Sequence, residues 1–277
     1  MKALWQVSAL GLAVGLVGLL VSSSHTSADG GGNGSVCDGL PSHGQLRAAL
    51  VTAVATETSG LNNHMWATIV SRDGTVCAVA FSGVNAAAQW PGSRVISAQK
   101  ANTATAFSLD SSSHSNGSGR ASGLALSTAN LYSAVQPGGS LYGLQHSNPV
   151  DTTSAYQGPA SRFGRSNDPL VGSRVGGVNV FGGGLALYDS GRDVVGGLGA
   201  SGDTSCADHN IAWRVRHLLN LDFLSGVGGV SGDSQRPDNI IFDITANPAG
   251  GTGISAGGFG HPTCLNTSGS ATLPVVQ

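Results

Sequence analysis

Charge is scarce in this chain. Only 10% of its 277 residues are Asp, Glu, Lys or Arg, and the formal net charge is −2. That balance gives no electrostatic reason to expect nucleic acid or an anionic membrane surface as a partner. Lysine is nearly missing: Lys2 and Lys100 are the only two, and every other basic residue apart from histidine is Arg. Aromatic residues make up 5%, whereas glycine reaches 43 residues. Only part of such a chain can build a dense core, and the rest reads as Gly/Ser/Asn loop. There is no C-x-x-C and no H-x-x-x-H pair, so no metal site is expected.

Long apolar runs are also missing, with one short exception. Leu10–Val21 holds only Ala, Gly, Leu and Val; Lys2 precedes it, and Thr26-Ser27-Ala28 places small residues before Asp29. Residues 1–28 therefore read as a cleavable signal peptide, too short for a good spanning helix, with an uncleaved anchor as the alternative. The expected destination is secreted or periplasmic. The remaining chain, about 250 residues, fits one domain with appendages. Residues 29–41 read as a linker, 42–225 as the domain with an insertion at about 109–175, and 226–277 as a Gly-rich C-terminal extension.

Four cysteines, Cys37, Cys77, Cys206 and Cys264, suggest two disulfides if the chain meets an oxidising compartment. Three pairings are open. Cys206–Cys264 is preferred because it would tie the tail to a helix; zinc and free buried thiols are the competing readings. Asn33-Gly-Ser, Asn116-Gly-Ser and Asn266-Thr-Ser match the glycosylation triplet, which is frequent by chance in this composition.

Along the chain, Leu46, Leu50 and Val54 recur at four-residue spacing and predict a helix from Gly44 to about Ser59, capped by Ser42. Trp66–Ser71 and Thr75–Phe81 flank Arg72-Asp73-Gly74 and predict a hairpin. A second helix is expected over Arg94–Phe107 with Ser93 as cap, and a weaker one over Ala125–Val135. Residues 136–175 show scattered aromatics and Arg among Pro, Gly and polar residues, which suggests an ordered or functional insertion. Val178–Phe181, Leu185–Tyr188 and Asp193–Val195 read as strands. Asp203 would cap a third helix running to Leu219, and Asn239–Ile244 is a last strand candidate. The order predicts an α+β fold: a single antiparallel sheet with flanking helices and long loop-rich insertions.

Two motifs invite chemistry and fail on context. Gly197-Leu-Gly-Ala-Ser-Gly202 matches a dinucleotide-binding turn, but no second β-α-β unit exists and Asp203 would repel a pyrophosphate. The plainer reading is that the glycines let a strand pack closely on a helix. Gly253-Ile-Ser255-Ala-Gly257 matches a nucleophile elbow without the strand and helix that motif needs, although His261 follows. Cys206, Asp208 and His209 cluster at the start of the third helix, either as a cap beside a surface histidine or as the lining of a ligand pocket.

The pieces resemble the GlcG/HbpS haem-binding family, which is related to the carboxy-terminal domain of PduO. The resemblance rests on the Arg72-Asp73-Gly74 turn, Lys100-Ala-Asn-Thr103-Ala104 on the second helix, Val195–Gly202, and the helix opening at Asp203–Asp208. It covers about residues 42–108 and 176–220, and Ser82–Trp90 departs from the family's R-x-D-G-A-like segment. It implies a profilin-like sheet, homo-oligomers, and haem or another tetrapyrrole as ligand. C-x-x-C-H is absent, so attachment would be non-covalent.

On that resemblance the cofactor-binding candidates are Lys100, for a haem propionate, and Thr103, facing the ring. His209 or His64 would be the axial ligand, with Tyr142 or His146 in the insertion as substitutes. No catalytic residue is identified. The expected function is an exported haem-binding protein for scavenging, iron acquisition or sensing. The alternatives are a haem-dependent oxidative enzyme, including haem degradation, an unseen hydrolase, and a cofactor-free structural module.

Overall fold

A computed structural model describes residues 35–113 and 123–277. The expected signal segment, residues 29–34, His25, His114 and the triplets at Asn33 and Asn116 lie outside the described residues. None of the described helices is long and apolar enough to cross a membrane.

Helix α1 (His43–Thr56) starts at a capping box: Gln45 N–H donates to the Ser42 hydroxyl, and the Gln45 side chain accepts from Ser42 N–H. The hairpin follows as β1 (Trp66–Ser71) and β2 (Val76–Phe81). Helix α2 (Gly92–Ala106) begins after Pro91 with no side-chain cap, so Ser93 is not the cap but lies buried in the first turn. The expected helix at 125–135 shortens to a 3-10 turn, Thr128–Asn130, and α3 (Leu131–Ala134). In the insertion, α4 (Thr152–Ala155) and two 3-10 turns are linked by irregular chain.

The sheet closes with β3 (Gly184–Tyr188) and β4 (Val194–Ser201), and α5 (Ser205–Leu218) follows. Val178–Phe181 is irregular rather than a strand, and of Asn239–Ile244 only Ile244 pairs, in β5 (Ile244–Thr245) against β6 (Ile254–Ser255). The main sheet is antiparallel throughout, in the order β2-β1-β4-β3. The fold is therefore the expected α+β arrangement.

Strand alternation decides what each face meets. Ala67, Ile69, Leu185, Leu187 and Leu198 pack against α1 and α5, on Leu46, Leu50, Ile211 and Trp213. Trp66, Val70 and Val79 face α2, on Val95, Ala98 and Ala101. Gly197 and Gly199 of the false dinucleotide motif lie inside β4, and Gly202 falls just past it. A Cβ on Gly197 or Gly199 would overlap the carbonyl oxygens of Ala101 and Ser97 on α2, so their role is close strand–helix contact.

Two disulfides staple this frame. Cys206–Cys264 ties the tail to α5, and Cys37–Cys77 ties the amino-terminal segment to β2. Residues 35–41, expected as linker, are thus a turn anchored to the sheet. The tail returns onto α5, where Trp213 Nε1–H donates to the Pro274 carbonyl at 2.9 Å and Leu273 is buried.

Candidate functional site

A groove of about 970 Å³ lies between the start of α1, the end of β2 and residues 160–167 of the insertion. The half-buried Phe163 and the edges of Trp66 and Phe81, both buried with rings 4.6 Å apart, line it. Arg47, Arg162, Arg165 and His43 surround it, and no Asp or Glu lines it. The three guanidiniums are exposed and make no ion pair among the described residues. The buried Trp66 Nε1–H has no hydrogen-bond partner. Unpaired positive charge around an aromatic floor suits a flat ligand with carboxylates at its edge.

The insertion wall is fixed from behind. Arg94 of α2 reaches the Asp168 carboxylate with both Nε, at 2.9 Å, and Nη2. Asp168 also accepts from Gly164 N–H at 2.7 Å and Leu170 N–H at 2.9 Å. The same guanidinium lies 3.6 Å over the Phe163 ring. His43 closes the other side: its Nε2 is 3.0 Å from the Gly164 carbonyl oxygen. A carbonyl only accepts, so Nε2 carries the proton and Nδ1 of the neutral ring keeps its lone pair.

Of the residues chosen from sequence, His64 is the one beside this groove. It is exposed, edge-on to Phe81 at 5.8 Å, with Nδ1 3.3 Å from the Ser82 hydroxyl.

The other three, Lys100, Thr103 and His209, are fully buried and do not line this groove. Lys100 Nζ donates to Asp208 at 2.7 Å and to the Ala200 carbonyl at 3.1 Å, and sits 3.9 Å over the Phe181 ring. Its charge is thus paired with that of Asp208. Burial raises the Asp208 carboxyl to about 6 against the pull of that ammonium, and lowers Lys100. Thr103 donates to the Gln99 carbonyl and accepts from Asn179 N–H, so its hydroxyl serves the helix and the chain beside it.

His209 holds Nε2 between Asn239 Oδ1 and Ile240 N–H, and burial lowers it to about 4. Its Nδ1 is buried without a partner. Asp208 is therefore a buried ion-pair partner rather than a cap, and Thr204 caps α5. Tyr142 and His146 are exposed on a turn away from the groove lining.

Sequence reasoning missed Arg47, Arg162, Arg165 and His43. The available signal was Arg162-Phe-Gly-Arg165: two arginines flanking an aromatic in a charge-poor chain.

Comparison with known proteins bears on what such a site serves. No curated protein matches the chain. Two solved structures are similar in sequence but align weakly, each with a TM-score of 0.39 over 64% of this chain. One is the Klebsiella pneumoniae protein ORFY, at 25% identity over 87% of its length; the other is a PduOC–haem complex, at 26% over 91%. The family described as haem-degrading protein HbpS-like matches residues 45–216. That span covers more than half of the chain and includes every element of the main sheet and the aromatic and arginine walls of the groove; the chain belongs to the HbpS-like family.

Proposed function

We propose that the protein is exported and binds haem in the groove walled by α1, β2 and residues 160–167. The observation that carries this reading is the set of three unpaired arginines around an aromatic floor with no acidic residue in the lining. Haem offers the complement: a flat apolar ring whose two propionates suit guanidinium forks. The volume lies in the range of small-molecule and cofactor sites. His43 is the first choice of axial ligand, because its Nε2–H is held by Gly164 and Nδ1 is left free to ligate. His64 is the second, from its place beside Phe81. The HbpS-like family and the haem complex of PduOC support the same ligand. Two disulfides support an oxidising compartment, where scavenging, iron acquisition or sensing would take place.

The test is a haemin titration read in the Soret band at low and moderate salt. The full chain should saturate at one haem. Exposed charge pairs contribute roughly 0.2–1 kcal/mol each, so Arg47→Ala/Arg162→Ala/Arg165→Ala together should weaken binding by about 3- to 150-fold and flatten its salt dependence. Lys100→Met should leave that salt dependence intact. An unchanged affinity in the triple variant would remove the groove from consideration. Peroxide-dependent loss of the haem band at catalytic amounts of protein would add degradation to binding.

A further inference from the structure

The false nucleophile elbow hides a different pairing. Ser255 does not meet a histidine: its hydroxyl donates to the Asp243 carboxylate at 2.7 Å and accepts from Gly260 N–H. The histidine that follows it, His261, is carried instead to the first residue of α5. Ser205 Oγ lies 2.7 Å from His261 Nε2.

Both ends of this pair are fixed. His261 Nδ1 is 2.7 Å from the Pro262 carbonyl oxygen, which can only accept, so Nδ1 bears the proton and Nε2 offers its lone pair. Gly182 N–H donates to Ser205 Oγ at 2.6 Å, which leaves the hydroxyl proton directed at His261. His261 is buried while Ser205 is part-exposed, and burial keeps the imidazole neutral by lowering it to about 4. The Cys206–Cys264 disulfide joins the residue after Ser205 to the segment bearing His261, and the Tyr132 ring packs on that imidazole at 5.2 Å.

Nucleophile, base and orienting acceptor therefore stand in the relation that acyl transfer uses, with a backbone carbonyl where a carboxylate is common.

We propose that Ser205, with His261 as base, is a nucleophile for acyl transfer from small carboxylic esters, at a site separate from the arginine groove. Oγ attacks the ester carbonyl carbon as its proton passes to His261 Nε2. The bond from carbon to the leaving oxygen breaks, and the alcohol departs with that proton. Water then attacks the acyl-serine through the same base, releasing the carboxylic acid and restoring the hydroxyl.

The experiment uses the full chain with p-nitrophenyl acetate, read by released nitrophenolate and by intact mass with peptide mapping. A burst near one equivalent and a single acetyl group on Ser205 are expected. Ser205→Ala should abolish both while remaining folded by circular dichroism. His261→Gln should slow the burst by about 100-fold or more, the usual contribution of a general base. No acetylation of the wild-type chain, or the same labelling in Ser205→Ala, would overturn the proposal. Haemin binding is measured separately on Ser205→Ala, so failure of one site does not count against the other.

Discussion

Lys100→Met tests how the centre of this fold holds charge. In the native chain the ammonium and the Asp208 carboxylate are both fully buried and 2.7 Å apart. Methionine keeps the length of the side chain and removes the charge. Asp208 then keeps one polar partner, the Asp203 N–H at 2.9 Å, and the Ala200 carbonyl loses its donor. Breaking a buried pair by removing one member costs about 3–5 kcal/mol.

The pH dependence identifies the cause. Burial already lifts the folded carboxyl to about 6, above its unfolded value of 3.8. Between those two values the folded state binds the extra proton, so this group's contribution to stability falls as pH rises. Without the ammonium the folded value moves higher and the window extends upward. Urea unfolding of Lys100→Met at pH 6 and pH 8 should show stability falling by as much as about 1.4 kcal/mol per pH unit. Lys100→Met/Asp208→Asn should not share that slope. A loss under about 1 kcal/mol at pH 7, or equal slopes in the two variants, would refute the reasoning.

Other outcomes follow from the same structure. Replacing Cys37 and Cys77 by Ser should cost about 4 kcal/mol by chain entropy, because the bridge closes a 40-residue separation, and calorimetry reads it as a lower melting temperature. Gly199→Ala should cost about 1–3 kcal/mol through overpacking, since its Cβ would press on the Ser97 carbonyl of α2; denaturant midpoints check this. His209 and His261 are held near 4 in the folded chain against 6.5 outside it, so their contribution is complete above 6.5 and is lost as pH falls toward 4. His261→Gln should shrink that acid-limb loss in urea titrations between pH 6.5 and 4.5.

The parts of the fold legible in sequence are those with a local repeat. The spacing of Leu46 and Leu50 marks α1, Asp73-Gly74 between two β-rich runs marks the hairpin, and Ile211 with Val215 marks α5. What escaped depended on partners far along the chain. The glycines of β4 look like a turn, and only the approach of α2 makes them a strand. Ser93 looks like a cap, but Pro91 already starts the helix and the serine turns inward. Lys100 stands out as a solitary cation, and only the fold brings it Asp208, 108 residues later, as its partner. The groove escaped for the same reason. Arg162 and Arg165 gain meaning only when Asp168 meets Arg94, 74 residues away, and His43 meets Gly164, 121 residues away. No spacing within the insertion encodes those contacts.

The haem assignment turns on where iron sits. Crystals of the haemin complex, with diffraction collected on both sides of the iron absorption edge, locate it by anomalous scattering without reference to any ligand spectrum. One iron per chain is expected inside the groove, bordered by His43, Phe81 and Phe163, with the propionates toward Arg47, Arg162 or Arg165. An iron peak outside that groove, against α2 near Lys100 or on the far side of α5, would contradict it.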